Sequence, residues 1–136
     1  MIAELPSVDD VLASLERAVE KKGADYVYTL PNGTRAGEVD PDTNILAGCL
    51  YVHGNEPGCI VGHVLHDWGV SLDQLRSYEQ DTAETVIQHL MASKDIVVDQ
   101  YDPVVEVLRT VQTYQDNGET WGEAVQRVHD DEKGYK

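Results

Sequence analysis

Both cysteines and three of the five histidines of this chain fall within one stretch, Cys49 to Trp68, of sequence CLYVHGNEPGCIVGHVLHDW. Cysteine and histidine together support two kinds of chemistry: they hold a metal ion, or a thiolate attacks while an imidazole takes its proton. The spacing Cys49-x₃-His53-x₅-Cys59-x₃-His63 first suggests zinc. If residues 49–53 form a strand, Cys49, Tyr51 and His53 share a face, but Cys49 and His53 lie ~13 Å apart at ~3.3 Å per residue. Ligands of one zinc, each bound at ~2.0–2.3 Å, cannot be so far apart. His63 and His66 lie one helical turn apart beside Asp67, a set too small to define a site. No metal is expected.

A thiol near a helix start, as Cys59 would be, can have its pKa lowered. With His63 one turn on, or His53, as base, Cys59 outlines the site of a small cysteine-dependent hydrolase or transferase. Against this, no orienting Asn or Asp and no Gly-rich oxyanion motif accompany the trio. A cysteine in such a place is ordinarily a small buried apolar residue. The signatures of Walker A, GxGxxG, HExxH and GxSxG sites are also absent. The expectation is no catalytic residue and no cofactor, with Cys59, His63 and His53 as the set for an enzymatic alternative.

Helical geometry sharpens the picture. At ~100° per residue, Ile60, Val61, Val64, Leu65 and Trp68 form one side of a helix, and Cys59, Gly62, His63 and His66 the other. The second side faces solvent or a second contact, and Gly62 lets a backbone or a ligand come close. Tyr51, Cys59, Gly62, His63 and His66 are therefore the candidate binding residues.

The elements that must position them follow from caps and periodicity. Ser7 caps a helix with Asp9 and Asp10 in its first turn, and Val8, Val11, Leu12, Leu15, Ala18 and Val19 form its apolar stripe. Lys21 and Lys22 suit its last turn, and Gly23 its C′ position. Asp25 to Leu30 has the composition of a strand ended by Pro31-Asn-Gly33. Residues 32–44 read as a loop, whose Glu38, Asp40 and Asp42 lack the pattern of an EF-hand.

Leu50 to Val52 is a second strand able to pair with the first, with Tyr26, Tyr28 and Tyr51 as a cross-strand cluster. Asn55-Glu-Pro-Gly58 is a turn. A helix runs from Cys59 to about Trp68, stopped by Gly69, and Ser71 caps a short one through about Tyr78. Asp81 with Glu84 starts a helix to about Met91. Ile96 to Val98 is a third strand or a buried loop. Asp102-Pro103 starts a helix striped by Val104, Val107, Leu108, Val111 and Tyr114. Asn117-Gly118 breaks it, and Thr120 with Glu123 starts the last one, faced by Trp121, Ala124, Val125 and Val128. A charged, frayed tail is expected from about Asp130. The sum is a mostly α protein with a small two- or three-stranded β-sheet (α+β), one compact domain over residues 1–136.

Twenty-five acidic residues against ten basic ones give a formal charge of −15. Such a charge repels nucleic acids and anionic membranes. The last two helices form a hairpin, but the second carries Glu119, Glu123, Asp130 and Asp131 against Arg127, which disfavours DNA reading. The start MIAELPSVDD lacks the features of a signal peptide, and the apolar run Ile45 to Val52 is far below the ~20 residues of a membrane helix. Two cysteines are too few for a disulfide scaffold. A cytoplasmic protein with reduced thiols is expected.

The pattern Cys49-x-Tyr51, Pro57-x-Cys59-Ile-Val-Gly62-x-x-Leu65 and Gly69 resembles small uncharacterised proteins of actinobacteria and actinobacteriophages. The ending Gln115-Asp-x-Gly118-x-Thr120-Trp-Gly-Glu-Ala-Val125 is similar to theirs, and the two stretches cover about a third of the chain. The resemblance implies a bacterial or phage-infected host cell as the setting, and no activity or site residue. Charge and resemblance together lead to a non-enzymatic acidic protein that binds a basic protein partner, with Tyr or Trp as apolar anchors. The alternative is a small enzyme or small-ligand binder using the Cys59/His63 face.

Overall fold

The computed structural model describes residues 6–30, 32–35, 38–44, 50–78, 82–92, 95–99 and 102–133, with side chains to Asp131. Its elements are α1 (Val8–Lys22), β1 (Val52–His53), β2 (Glu56–Pro57), α2 (Ile60–Asp67), α3 (Leu72–Arg76), α4 (Ala83–Ala92), α5 (Pro103–Asp116) and α6 (Trp121–Lys133). The architecture is mostly helical with a two-stranded antiparallel sheet.

Helix starts follow the side-chain oxygens that cap them. Ser7 and Asp10 form a capping box on α1. Ser71 accepts from the Gln74 amide at the start of α3. Asp102 accepts from the Val104 amide ahead of α5, with Pro103 in its first turn. Thr120 accepts from Glu123 at α6. Each oxygen satisfies an amide that the first turn leaves without a partner. On α4 the Thr82 hydroxyl accepts from the Thr85 amide, while Asp81, expected to do this, lies outside the described residues. Helix α6 continues through Asp130 to Lys133, where a frayed tail was expected.

Helix α1 packs against α2, α5 and α6, α5 against α2, α4 and α6. Their stripes meet in one core that includes Val11, Leu15, Ile60, Val61, Val64, Leu65, Ile87, Leu108, Val111 and Trp121. Burial of apolar side chains there is the main stabilising contribution, on the order of 1.5–3 kcal/mol for each large side chain.

The sheet differs from the expected one. Residues 25–30 do not form a strand; among the described residues their ladder contact is the bridge from Thr29 to Arg35. The partner of β1 is β2, in the register Val52 opposite Pro57 and His53 opposite Glu56. The turn is therefore Gly54-Asn55, with Gly54 at a φ of +61°. Glycine takes a positive φ without a Cβ penalty, and at the first central position it matches the turns that suit the twist of paired strands. Of residues 55–58, read from sequence as the turn, Asn55 lies in it and Glu56–Pro57 form β2. Residues 96–98 form no strand either: Val98 is buried, but Val97 is 97% exposed.

Candidate functional site

The hairpin leads directly into α2. The Gly58 amide donates to the Tyr51 carbonyl and the Cys59 amide to the Leu50 carbonyl, extending the pairing to the first residue before the helix. Cys59 is the N-cap of α2 but gives it no side-chain bond. A buried residue of α5 takes over: Gln115 Oε1 accepts from the Ile60 amide at 2.8 Å. Gly62 lies against the hairpin so closely that a Cβ would stand 2.4 Å from the Tyr51 carbonyl oxygen. The second side of α2 thus faces a backbone contact, and Gly62 is what permits it.

Cys59 is fully buried and disulfide-bonded, which corrects the expectation of reduced thiols. The other cysteine, Cys49, lies outside the described residues. A sulfur in a disulfide is not a nucleophile, and burial keeps solvent and substrate from it. Tyr51 is likewise buried.

His53 meets Tyr28: the Tyr28 hydroxyl accepts from the Leu50 amide at 3.0 Å and lies 2.9 Å from His53 Nε2. The two side chains share this hydrogen bond, the imidazole tautomer deciding which of them donates. Burial first, then the charge of Lys22, holds the His53 pKa below its ordinary value, with Glu56 opposing. This pair ties residue 28 to the hairpin in place of the expected tyrosine cluster. Tyr26 instead stacks edge-on with Trp121, ring centroids 4.6 Å apart.

His63 and His66 reach a different place. They line a cavity of about 110 Å³ between α1 and α2, together with Ser14, Arg17, Ala18, Lys21, Pro57 and Asp67. His63 is 7% exposed and packs edge-on against Trp121, centroids 5.3 Å apart. Its Nε2 is buried without a hydrogen-bond partner. Burial, followed by the positive charges of Lys21, Lys22, His66 and His53, lowers its pKa to about 4. His66 is exposed and donates from Nδ1 to the Val70 carbonyl, 3.1 Å away.

The floor of the cavity is a polar knot. Ser14, buried within the stripe of α1, donates to Asp67 Oδ2 at 2.8 Å and accepts from Trp68 Nε1 and Arg17 Nη2. Arg17 also donates to Asp67 Oδ2 from Nε and Nη2. Those hydrogen bonds, with Arg17 foremost, hold the Asp67 carboxyl below the usual carboxylate range.

Of the five candidate binding residues, the structure brings His63 and His66 together at a cavity and places Tyr51, Cys59 and Gly62 in packing. Ser14, Arg17, Lys21 and Asp67 were missed. Their signal on α1 was a polar serine amid apolar residues, with Arg17 and Lys21 on the same flank at helical spacing. Among the described residues, no cluster of His, Cys, Asp and Glu suits a metal ion. A second hollow, lined by Gln88, Ala92 and residues 95–98, has Asp95 as its charged group.

Among the described residues, Trp121, Tyr28 and Tyr51 are buried, and Trp68, Tyr26, Tyr78 and Tyr114 are partly buried. Among the described residues, no helix is long and apolar enough to cross a membrane. Comparison with family models, curated proteins and solved structures returns no match.

Proposed function

We propose that the protein is a non-enzymatic acidic binding protein whose partner is a basic protein, engaged through the outer face of α1 and α6. The observation that carries this reading is how the chain uses its cations. Arg17, Arg76, Arg109 and Arg127 each pair with a carboxylate of the same chain. The excess carboxylates that give −15 remain for something else.

Helices α1 and α6 run side by side in opposite directions: Glu16 meets His129 at 2.7 Å, and the Gly122 amide donates to the Ala24 carbonyl at 2.9 Å. By that register Glu20 falls between the levels of Glu123 and Asp130, which stand two turns apart on α6, and all three are exposed. Facing charges of opposite sign would steer a basic partner and weaken with salt, since screening shortens to ~8 Å at physiological ionic strength. The proposed origin is a bacterium or its phage, and the proposed setting the cytoplasm. Disulfides are rare there, but a fully buried sulfur such as Cys59 is shielded from reducing thiols.

Capture from bacterial lysate at low and high salt, repeated with Glu20→Lys/Glu123→Lys/Asp130→Lys, tests the reading. A basic protein should be retained by the wild type at low salt and lost with high salt or with the triple variant. Retention that ignores both changes contradicts the electrostatic face, and no specific partner at either salt contradicts the binding role. Glu119 is unsuitable for reversal because Arg127 holds it.

A cysteine-dependent enzyme is the weaker reading, since Cys59 is in a disulfide. The small-ligand alternative is favoured by a separate observation, the partnerless imidazole at the α1/α2 cavity.

A further inference from the structure

We propose that the cavity between α1 and α2 is a binding site for a small oxyanion of the phosphate class, held by Lys21, Arg17, His63 and His66. This inference is independent of the acidic face on the other side of α1.

Size comes first. A cavity of about 110 Å³ has room for a few waters at ~30 Å³ each. It is well below the ~300–1,000 Å³ of pockets for drug-sized ligands. A single phosphoryl group fits that scale, either as inorganic phosphate or as the end of a small monoester.

Charge comes second. In a chain of −15, the cavity gathers Arg17, Lys21 and two imidazoles against one carboxylate. Asp67 is already neutralised by Arg17 and Ser14. Lys21 is left as the excess positive charge, exposed and without an ion pair among the described residues. Arg17 uses Nε and Nη2 on the knot, and among the described residues its Nη1 has no partner.

The third observation is His63 itself. A buried polar nitrogen without a partner is destabilising by roughly 1–3 kcal/mol, and native structures seldom keep one without a use. Here the imidazole lines the cavity, with the positive charges of Lys21 and Lys22 on α1 near it and the ionisable His53 on β1 and His66 on its own helix. From α6 it meets the uncharged Trp121. An anion in the cavity would offset the surrounding positive charge and favour the protonated form of the imidazole.

The test is NMR of the full chain, following the five histidines during titration at constant ionic strength. The probes are inorganic phosphate, glycerol phosphate and sulfate, with chloride as control. Saturable shifts at His63 and His66, absent with chloride, and an upward move of the His63 pKa are expected. Phosphate acting alone would assign the free ion; glycerol phosphate binding at least as well would assign a monoester end. Sulfate equal to phosphate would support an oxyanion site without selectivity for phosphate.

Lys21→Gln, at an exposed residue, should keep the fold while weakening binding about tenfold or more, the loss of one charge-assisted bond. His89 and His129 report on folding in the same spectra. No saturable shift at His63 with any oxyanion, or equal affinity in Lys21→Gln, would overturn the proposal.

Discussion

The two flanks of α1 have opposite electrostatic characters. On one, Ser14, Arg17 and Lys21 face α2, and a buried hydroxyl, a guanidinium and a carboxylate form a closed knot beside a cationic cavity. On the other, Glu16 and Glu20 are exposed, with a hydrogen bond between Glu16 and His129 at the surface. A net charge of −15 describes only the second flank. At ~100° per residue, Ser14 and Lys21 lie on the α2 side and Glu16 on the α6 side, while Arg17 and Glu20, three apart, are neighbours along the outer edge between them. Interactions on the first flank join α1 to α2 around the buried Ser14 hydroxyl; those on the second lie at the surface.

Three changes would break or sharpen this contrast. The largest effect is expected at Trp121, which lies under both flanks: it packs on Tyr26 and His63, and its amide donates to the Tyr26 carbonyl at 2.8 Å. Trp121→Ala should destabilise by about 3–5 kcal/mol in denaturant unfolding and shift the resonances of both His63 and His129. Loss confined to one of the two histidines would mean that the flanks are not coupled through this side chain.

Ser14→Ala removes the hydroxyl that Trp68 donates to and that donates to Asp67. Leaving these groups unsatisfied should be destabilising by about 1–3 kcal/mol. Glu16→Gln removes one side of an exposed pair and should change stability by less than about 1 kcal/mol. Equal effects in thermal melts would erase the difference between the flanks.

Much of α1, α5 and α6 was legible because their signals are local. Ser7, Asp102-Pro103 and Thr120 with Glu123 cap the next turn, and the apolar stripes need only the helical period. The hairpin was misplaced because Gly54-Asn55 and residues 55–58 both carry turn chemistry, and only pairing decides between them. Residues 25–30 had strand composition, but composition does not supply a partner, and among the described residues their ladder contact is the Thr29–Arg35 bridge. His63 and His66 were legible as one side of α2. Their cavity was not, because its other wall is α1: Ser14 and Asp67 stand 53 positions apart. The disulfide state of Cys59 was missed because two cysteines looked like too few to constrain a chain of this size.

The central claim is that a buried, cation-surrounded imidazole exists inside this acidic protein. Its most direct test is the pKa of His63 in phosphate-free buffer, read by NMR, with stability measured at the same pH values. The account predicts titration near 4, below the ordinary 6.5. The unfolded chain then binds the proton that the folded one refuses. Stability should be full above pH 6.5 and fall as pH drops toward 4, by up to roughly 3 kcal/mol from this group. A His63 that titrates near 6.5 would contradict the claim.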